Sequence, residues 1–185
     1  STTGHFSTGV TIEQFIASIG KTAGRDLNQF LHWYDYAGTP ELTITEHYDP
    51  IAKTYSLTIS QFCPPTPKQE QEKPPFLIPI RVGLLDANGQ ELDLNLSGEE
   101  ARAGQKSKVL ELSQRQQTFT FTNIDAKPTP SILRGFTAPV KVKSDFLSNQ
   151  QYEHLIEHDT DAFVRWDSMQ TLMMQEITTQ LNRAK

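Results

Sequence analysis

Cysteine is nearly absent: Cys63 is the only one in 185 residues. A disulfide within the chain is thereby excluded, and so is a zinc site built on several cysteines. Cytoplasmic residence fits this usage and is the expectation. No run of about 18 apolar residues exists, so no membrane partner is expected. No basic-then-apolar start marks a signal peptide. Basic patches are missing too. Lys and Arg number 17 against 22 Asp and Glu, for a net charge of −5, which argues against a nucleic-acid partner. H-E-x-x-H, G-x-S-x-G, a glycine-rich phosphate loop and EF-hand spacing are all absent. What remains, 36% hydrophobic and 21% charged, suits a soluble globular chain of one or two domains.

The organising stretch runs from Gly24 to Tyr48. Leu27, Phe30, Leu31 and Tyr34 fall on one helix face, with Asp26 at the N-cap and Gln29 three residues on. Gly38 suits a left-handed helix end, and Pro40 forbids continuation. An earlier stripe, Ile12, Phe15, Ile16 and Ile19 after Thr11, predicts a second helix, so residues 11–37 read as a helical pair.

From Pro40 the period becomes two. Leu42, Ile44 and Tyr48, then Tyr55, Leu57 and Ile59, predict a hairpin over 41–62. Residues 63–75 carry five prolines and form an extended loop, read as a surface connector in preference to a ligand for a peptide-binding domain. Phe76 to Leu84 alternates again, Asn88-Gly89 is a hairpin signal, and Leu92, Leu94 and Leu96 read as the return strand. Val109–Leu112, Thr118–Thr122, Ile132–Phe136 and Val140–Lys143 complete about eight strands, with Lys127–Pro130 as a connector. The fold class is mainly β with flanking α: an Ig-like antiparallel β-sandwich between an N-terminal helical pair and C-terminal helices.

Helix returns after Asp145. Ser148 and Gln151 form a capping pattern, and Asp159-Thr160 is set to cap a longer helix. Its stripe is Ala162, Trp166, Met169, Met173, Ile177 and Leu181, widened by Phe163 and Leu172. Core packing against helices outside the chain is preferred for this face over an adaptable Met-rich groove. The chain opens on Ser1, which a removed Met would explain, but the pattern still runs at Leu181–Lys185 with no Gly or Pro cap, which suggests a fragment of a longer protein.

Only one pattern has a catalytic look. His154-Leu-Ile-Glu-His158 matches the inverted zinc-peptidase motif, with both imidazoles on one helix face and Glu157 as base. A third protein ligand does not stand out, so a solvated or domain-facing helix is preferred. Cys63 as a nucleophile lacks a base beside it, and Pro64, Pro65 and Pro67 follow it.

Several motifs resemble those of the bacterial aminopeptidase N (alanyl aminopeptidase) family of H-E-x-x-H zinc metallopeptidases. They are Asp26-Leu27, Gln29-Phe30, Trp33-Tyr34 and Gly38-Thr39-Pro40, then Tyr55-Ser-Leu-Thr-Ile-Ser-Gln61, Pro64–Pro67 and Phe76-Leu-Ile-Pro-Ile80. Gln117-Thr-Phe-Thr-Phe121, Phe136-Thr-Ala-Pro-Val140 and Asp161-Ala-Phe-Val-Arg-Trp-Asp167 with Gln170 continue the likeness. The resemblance implies that residues 1–39 end the catalytic domain, 40–144 form the sandwich domain and 145–185 begin the C-terminal helical domain. Zinc would belong to the parent enzyme, with no cofactor in this chain. No catalytic, cofactor-binding or metal-binding residue carries over, since the family's zinc motif, its G-x-M-E-N and its stabilising Tyr do not occur here. Phe30, Trp33 and Tyr34 then suit interdomain packing.

The expected role is a non-catalytic spacer and docking sandwich in an enzyme that removes N-terminal amino acids from peptides. Its partners would be the parent's other domains, and the isolated chain would be inactive. The alternatives are a stand-alone β-sandwich interaction module, or a small zinc hydrolase using His154, Glu157 and His158.

Overall fold

The computed structural model describes residues 38–67, 70–143 and 145–184. The helical pair expected over 11–37, with its aromatic residues, lies outside the described residues. The described elements are strands β1 (Glu41–Asp49), β2 (Thr54–Phe62), β3 (Ile78–Leu85), β4 (Lys108–Leu112), β5 (Gln116–Phe121), β6 (Thr129–Ile132) and β7 (Lys141–Val142). Helices α1 (Asn149–His158) and α2 (Ala162–Arg183) follow.

β1 and β2 form the expected hairpin, in register from Glu41↔Phe62 to Asp49↔Thr54. Its turn is held by the Asp49 carboxylate, which accepts from the N–H groups of Ile51 and Ala52. The strand order is β5-β2-β1-β7 in one sheet and β4-β3-β6 in the other. Leu42, Ile44, Tyr55, Leu57, Ile59 and Phe121 from the first sheet meet Ile78, Ile80, Val82, Leu84, Leu110 and Leu112 from the second in one core. Each such side chain contributes about 1.5–3 kcal/mol by leaving water. Period-two patterning puts it inside, and two packed sheets make the Ig-like sandwich.

Four details depart from the sequence reading. Leu92–Leu96 builds no ladder strand. Single bridges join Glu91 to Leu85 and Leu96 to Phe121, and the Leu94 N–H goes to the Gln105 carbonyl instead. The expected connector at Lys127–Pro130 instead leads into β6, which pairs with β3 as an edge strand, where prolines are tolerated. The sandwich is also not wholly antiparallel, because β7 runs parallel to β1 for two residue pairs. The expected strand at Ile132–Phe136 breaks at Leu133 (φ 65°), and Arg134–Phe136 form a 3-10 turn.

β3 is the central strand of its sheet and is buried on both faces apart from Arg81. Its inner face fills the sandwich. Its outer face at the C-terminal half receives the helices, with Leu85 packed among Leu147, Tyr152, Leu155 and Val164.

Candidate functional site

The described residues place their most unusual chemistry where the helices meet the second sheet. Ser148 and Gln151 cap α1 reciprocally, as the sequence predicts. α2 is capped by Asp161, not by Asp159-Thr160 as expected; the Asp161 carboxylate accepts from the Val164 N–H at 2.9 Å. Asp159 is freed from that task and turns inward.

There it meets Arg134, which is only 4% exposed. The Arg134 Nη2 lies 3.4 Å from Asp159 Oδ1, and Nη1 lies 3.0 Å from Glu91 Oε1. Nε donates to Ser131 Oγ and Nη1 to Ser107 Oγ, each at 2.9 Å. One guanidinium therefore ties together β6, the Glu91 and Ser107 segments that precede β4, and the link between α1 and α2. The fork geometry of arginine suits several acceptors at once. Asp161 extends the knot, because its Oδ1 accepts from the Gly135 N–H at 3.0 Å. Gly83 on β3 is the floor. A Cβ there would sit 2.2 Å from Arg134 Cζ, so only glycine leaves room for the guanidinium.

A second tie lies at Glu46 on β1. Its carboxylate accepts from Tyr55 Oη at 2.5 Å and from Gln151 Nε2 on α1 at 3.1 Å, and pairs with Lys127 at 2.9 Å. Burial, aided by the Glu46 bond, pushes the Tyr55 phenol well above its ordinary pKa.

The His154, Glu157 and His158 set is placed on α1 as the helix pattern requires, but the two histidines serve the same seam and Glu157 is exposed. His154 Nε2 donates to the Asp86 carbonyl at 2.8 Å, since a carbonyl can only accept. The His158 ring covers Gly89, where a Cβ would approach it to 2.3 Å. The two rings stand 4.7 Å apart, tilted by 55°. Glu157 lies beside His158, with Oε2 3.6 Å from Nε2. Among the described residues no group of three or more His, Cys, Asp or Glu side chains is arranged to hold a metal ion. With His154 Nε2 bound to the Asp86 carbonyl, the motif offers no three-ligand set for zinc among the described residues. No described helix is long and apolar enough to cross a membrane.

Cys63 is half-buried. Lys73 Nζ donates to the Pro64 carbonyl at 3.0 Å and lies 3.7 Å from the sulfur. Burial raises the thiol pKa against the opposing pull of Lys73, which favours the inert protonated form. Sequence reasoning missed Arg134 and Asp159. The available signal was an arginine inside the apolar run Ile132-Leu-Arg-Gly-Phe136, which must be paired if it is buried.

Comparison with known proteins bears on the fold and family of the chain. Residues 38–145 match a family described as a domain of unknown function (DUF3458) with an Ig-like fold. Residues 149–185 match one described as DUF3458_C, with ARM repeats. The chain is 40% identical over 167 residues to aminopeptidase N of Haemophilus influenzae, covering 90% of this chain and 18% of that protein. It is 35% identical over 179 residues to aminopeptidase N of Escherichia coli, covering 97% of this chain and 20% of that one. A crystal structure of Legionella pneumophila aminopeptidase A in complex with aspartic acid superposes with a TM-score of 0.62 at 34% identity, covering 86% of this chain and 16% of that one. The chain thus spans about a fifth of the curated relatives it matches.

Proposed function

This chain belongs to the DUF3458 family of Ig-like fold, and from that membership we propose that it is a non-catalytic part of a zinc aminopeptidase that removes N-terminal amino acids from peptides. In this reading the sandwich, residues 40–144, is a spacer and docking domain. Residues 1–39 end the catalytic domain, and residues 145–185 begin the C-terminal helical domain. The partners are the remaining domains of the enzyme, peptides are its substrates, zinc is held outside this chain, and the enzyme works in the cytoplasm.

The observation that carries the reading is the seam at Arg134. A free linker would let the helices wander from the sandwich. Instead a buried arginine with carboxylates from Glu91 and Asp159 fixes α1 and α2 against β3. A spacer must hold its neighbours in one geometry, and this contact is built to do so. The aminopeptidase names of the relatives at 35–40% identity supply the enzyme class.

The test uses the purified 185-residue chain, with and without added zinc, assayed on an amino-acid anilide. No turnover above the uncatalysed rate is expected. Turnover that survives repurification and disappears in His154→Ala would overturn the reading.

A further inference from the structure

Asn88-Gly89 is the single Asn-Gly pair in the chain. Asparagine is thermolabile. A following glycine has no Cβ to shield its amide nitrogen, so that nitrogen can attack the asparagine side chain. The Gly89 N–H donates to the Asp86 carbonyl at 3.0 Å, and neither Ala87 nor Asn88 has a positive φ, so residues 86–89 form a type I turn. In such a turn the ψ of Asn88 is about 0°. The Gly89 nitrogen then lies syn to the Asn88 nitrogen and away from the Asn88 Cβ. It reaches Cγ only if the peptide rotates, and rotation breaks the bond to Asp86.

α1 lies across this same turn. His154 Nε2 donates to the Asp86 carbonyl at 2.8 Å, so one oxygen holds both the turn and the helix. One helical turn on, the His158 ring sits against Gly89. The Asp86 carboxylate fastens the rest, accepting from the N–H groups of Asn88 and Gln90, each at 2.9 Å. Asn88 itself is exposed, so water reaches it.

We propose that Asn88 is a deamidation site gated by α1, closed while the helix is docked and reactive when it lifts. In the open state the Gly89 nitrogen loses its proton to hydroxide and bonds to Asn88 Cγ. The Cγ–Nδ2 bond breaks, and ammonia leaves with a proton taken from water. Water then opens the succinimide to aspartate or isoaspartate, so the net reaction is asparagine plus water to the acid plus ammonia. Isoaspartate adds a methylene to the main chain of the turn. It does so against the His158 ring, where even a Cβ on Gly89 would stand 2.3 Å from the imidazole. The modified turn therefore keeps α1 from docking again. The inference does not rest on the aminopeptidase reading.

The test is the deamidation rate at position 88 of the intact chain in mildly alkaline buffer, read by peptide mass and by an isoaspartyl methyltransferase assay. The folded chain should react about tenfold or more slowly than the same chain in concentrated guanidinium chloride. His154→Ala combined with His158→Ala should recover most of that difference at unchanged circular dichroism. Ile59→Val, which loosens the sandwich core away from the turn, should not. If the histidine variant does not fold, hydrogen exchange in the unaltered chain decides: the Gly89 N–H should open together with the amides of α1 and more often than those of β1 and β2. Equal rates for the folded and denatured chain, a histidine variant as slow as the parent, an equal acceleration by Ile59→Val, or a Gly89 N–H that opens only with β2 overturns the proposal.

Discussion

Arg134 is the residue on which the described structure turns. It is buried, it faces Glu91 and Asp159, and the second carboxylate oxygen of Asp159 has no hydrogen-bond partner among the described residues. Removing the arginine strands a buried carboxylate, which costs about 3–5 kcal/mol in such pairs. Arg134→Ala should therefore lower the unfolding free energy by that amount in urea titration. Gly83→Ala should also destabilise, because its methyl group enters the guanidinium. In the Arg134→Ala background the same glycine change should cost far less, since the clash has gone. Equal costs in both backgrounds would show that Gly83 answers to the backbone and not to Arg134. The apolar run around Arg134 signals a buried, paired arginine, but its partners are not readable from residue types alone. Leu133 takes a left-handed φ of 65°, and that break turns Arg134 inward where alternation predicts a strand.

Among the elements, those with clean periodicity were legible and those with competing partners were not. β1 and β2 alternate without interruption and pair in the expected register. Leu92, Leu94 and Leu96 alternate as well, yet the Leu94 N–H is taken by Gln105, so no ladder forms. β6 was hidden by Pro128 and Pro130, because an edge strand needs fewer N–H donors than sequence rules assume. For α2 the stripe was visible, but the described face against α1 is the smaller one, Val164 with Ser168.

The docking of α1 has its own signature in pH. Tyr152 packs with Leu85 and Leu155, and burial pushes its phenol up to about 12 from the ordinary 10.0. The folded state therefore favours the neutral phenol. This contribution is fully present below pH 10.0 and is lost as pH rises through about 12. Urea midpoints should fall across that window, and Tyr152→Phe should flatten part of the fall. An unchanged slope in the variant would mean that Tyr152 ionises without regard to folding.

At the scale of the whole molecule, the Ig-like sandwich and the two helices after it were legible, and the resemblance to aminopeptidase N holds at 35–40% identity. The candidate site was less so. The inverted histidine motif drew attention as chemistry, and its side chains instead bind the Asp86 carbonyl and cover Gly89. A short pattern reports which residues share a helix face; it does not report what that face lies against. The proposed spacer role makes the helix-to-sandwich seam, and not any side chain here, the contribution to catalysis.

The direct measurement is a replacement in the Escherichia coli relative, exchanging its matched stretch for this chain and assaying kcat/KM on an amino-acid anilide. The account expects the exchanged enzyme to stay within about tenfold of the parent, a loss of no more than about 1.4 kcal/mol, while deletion of the stretch abolishes activity. A soluble, folded exchange enzyme without turnover, or a deletion that remains active, would contradict it.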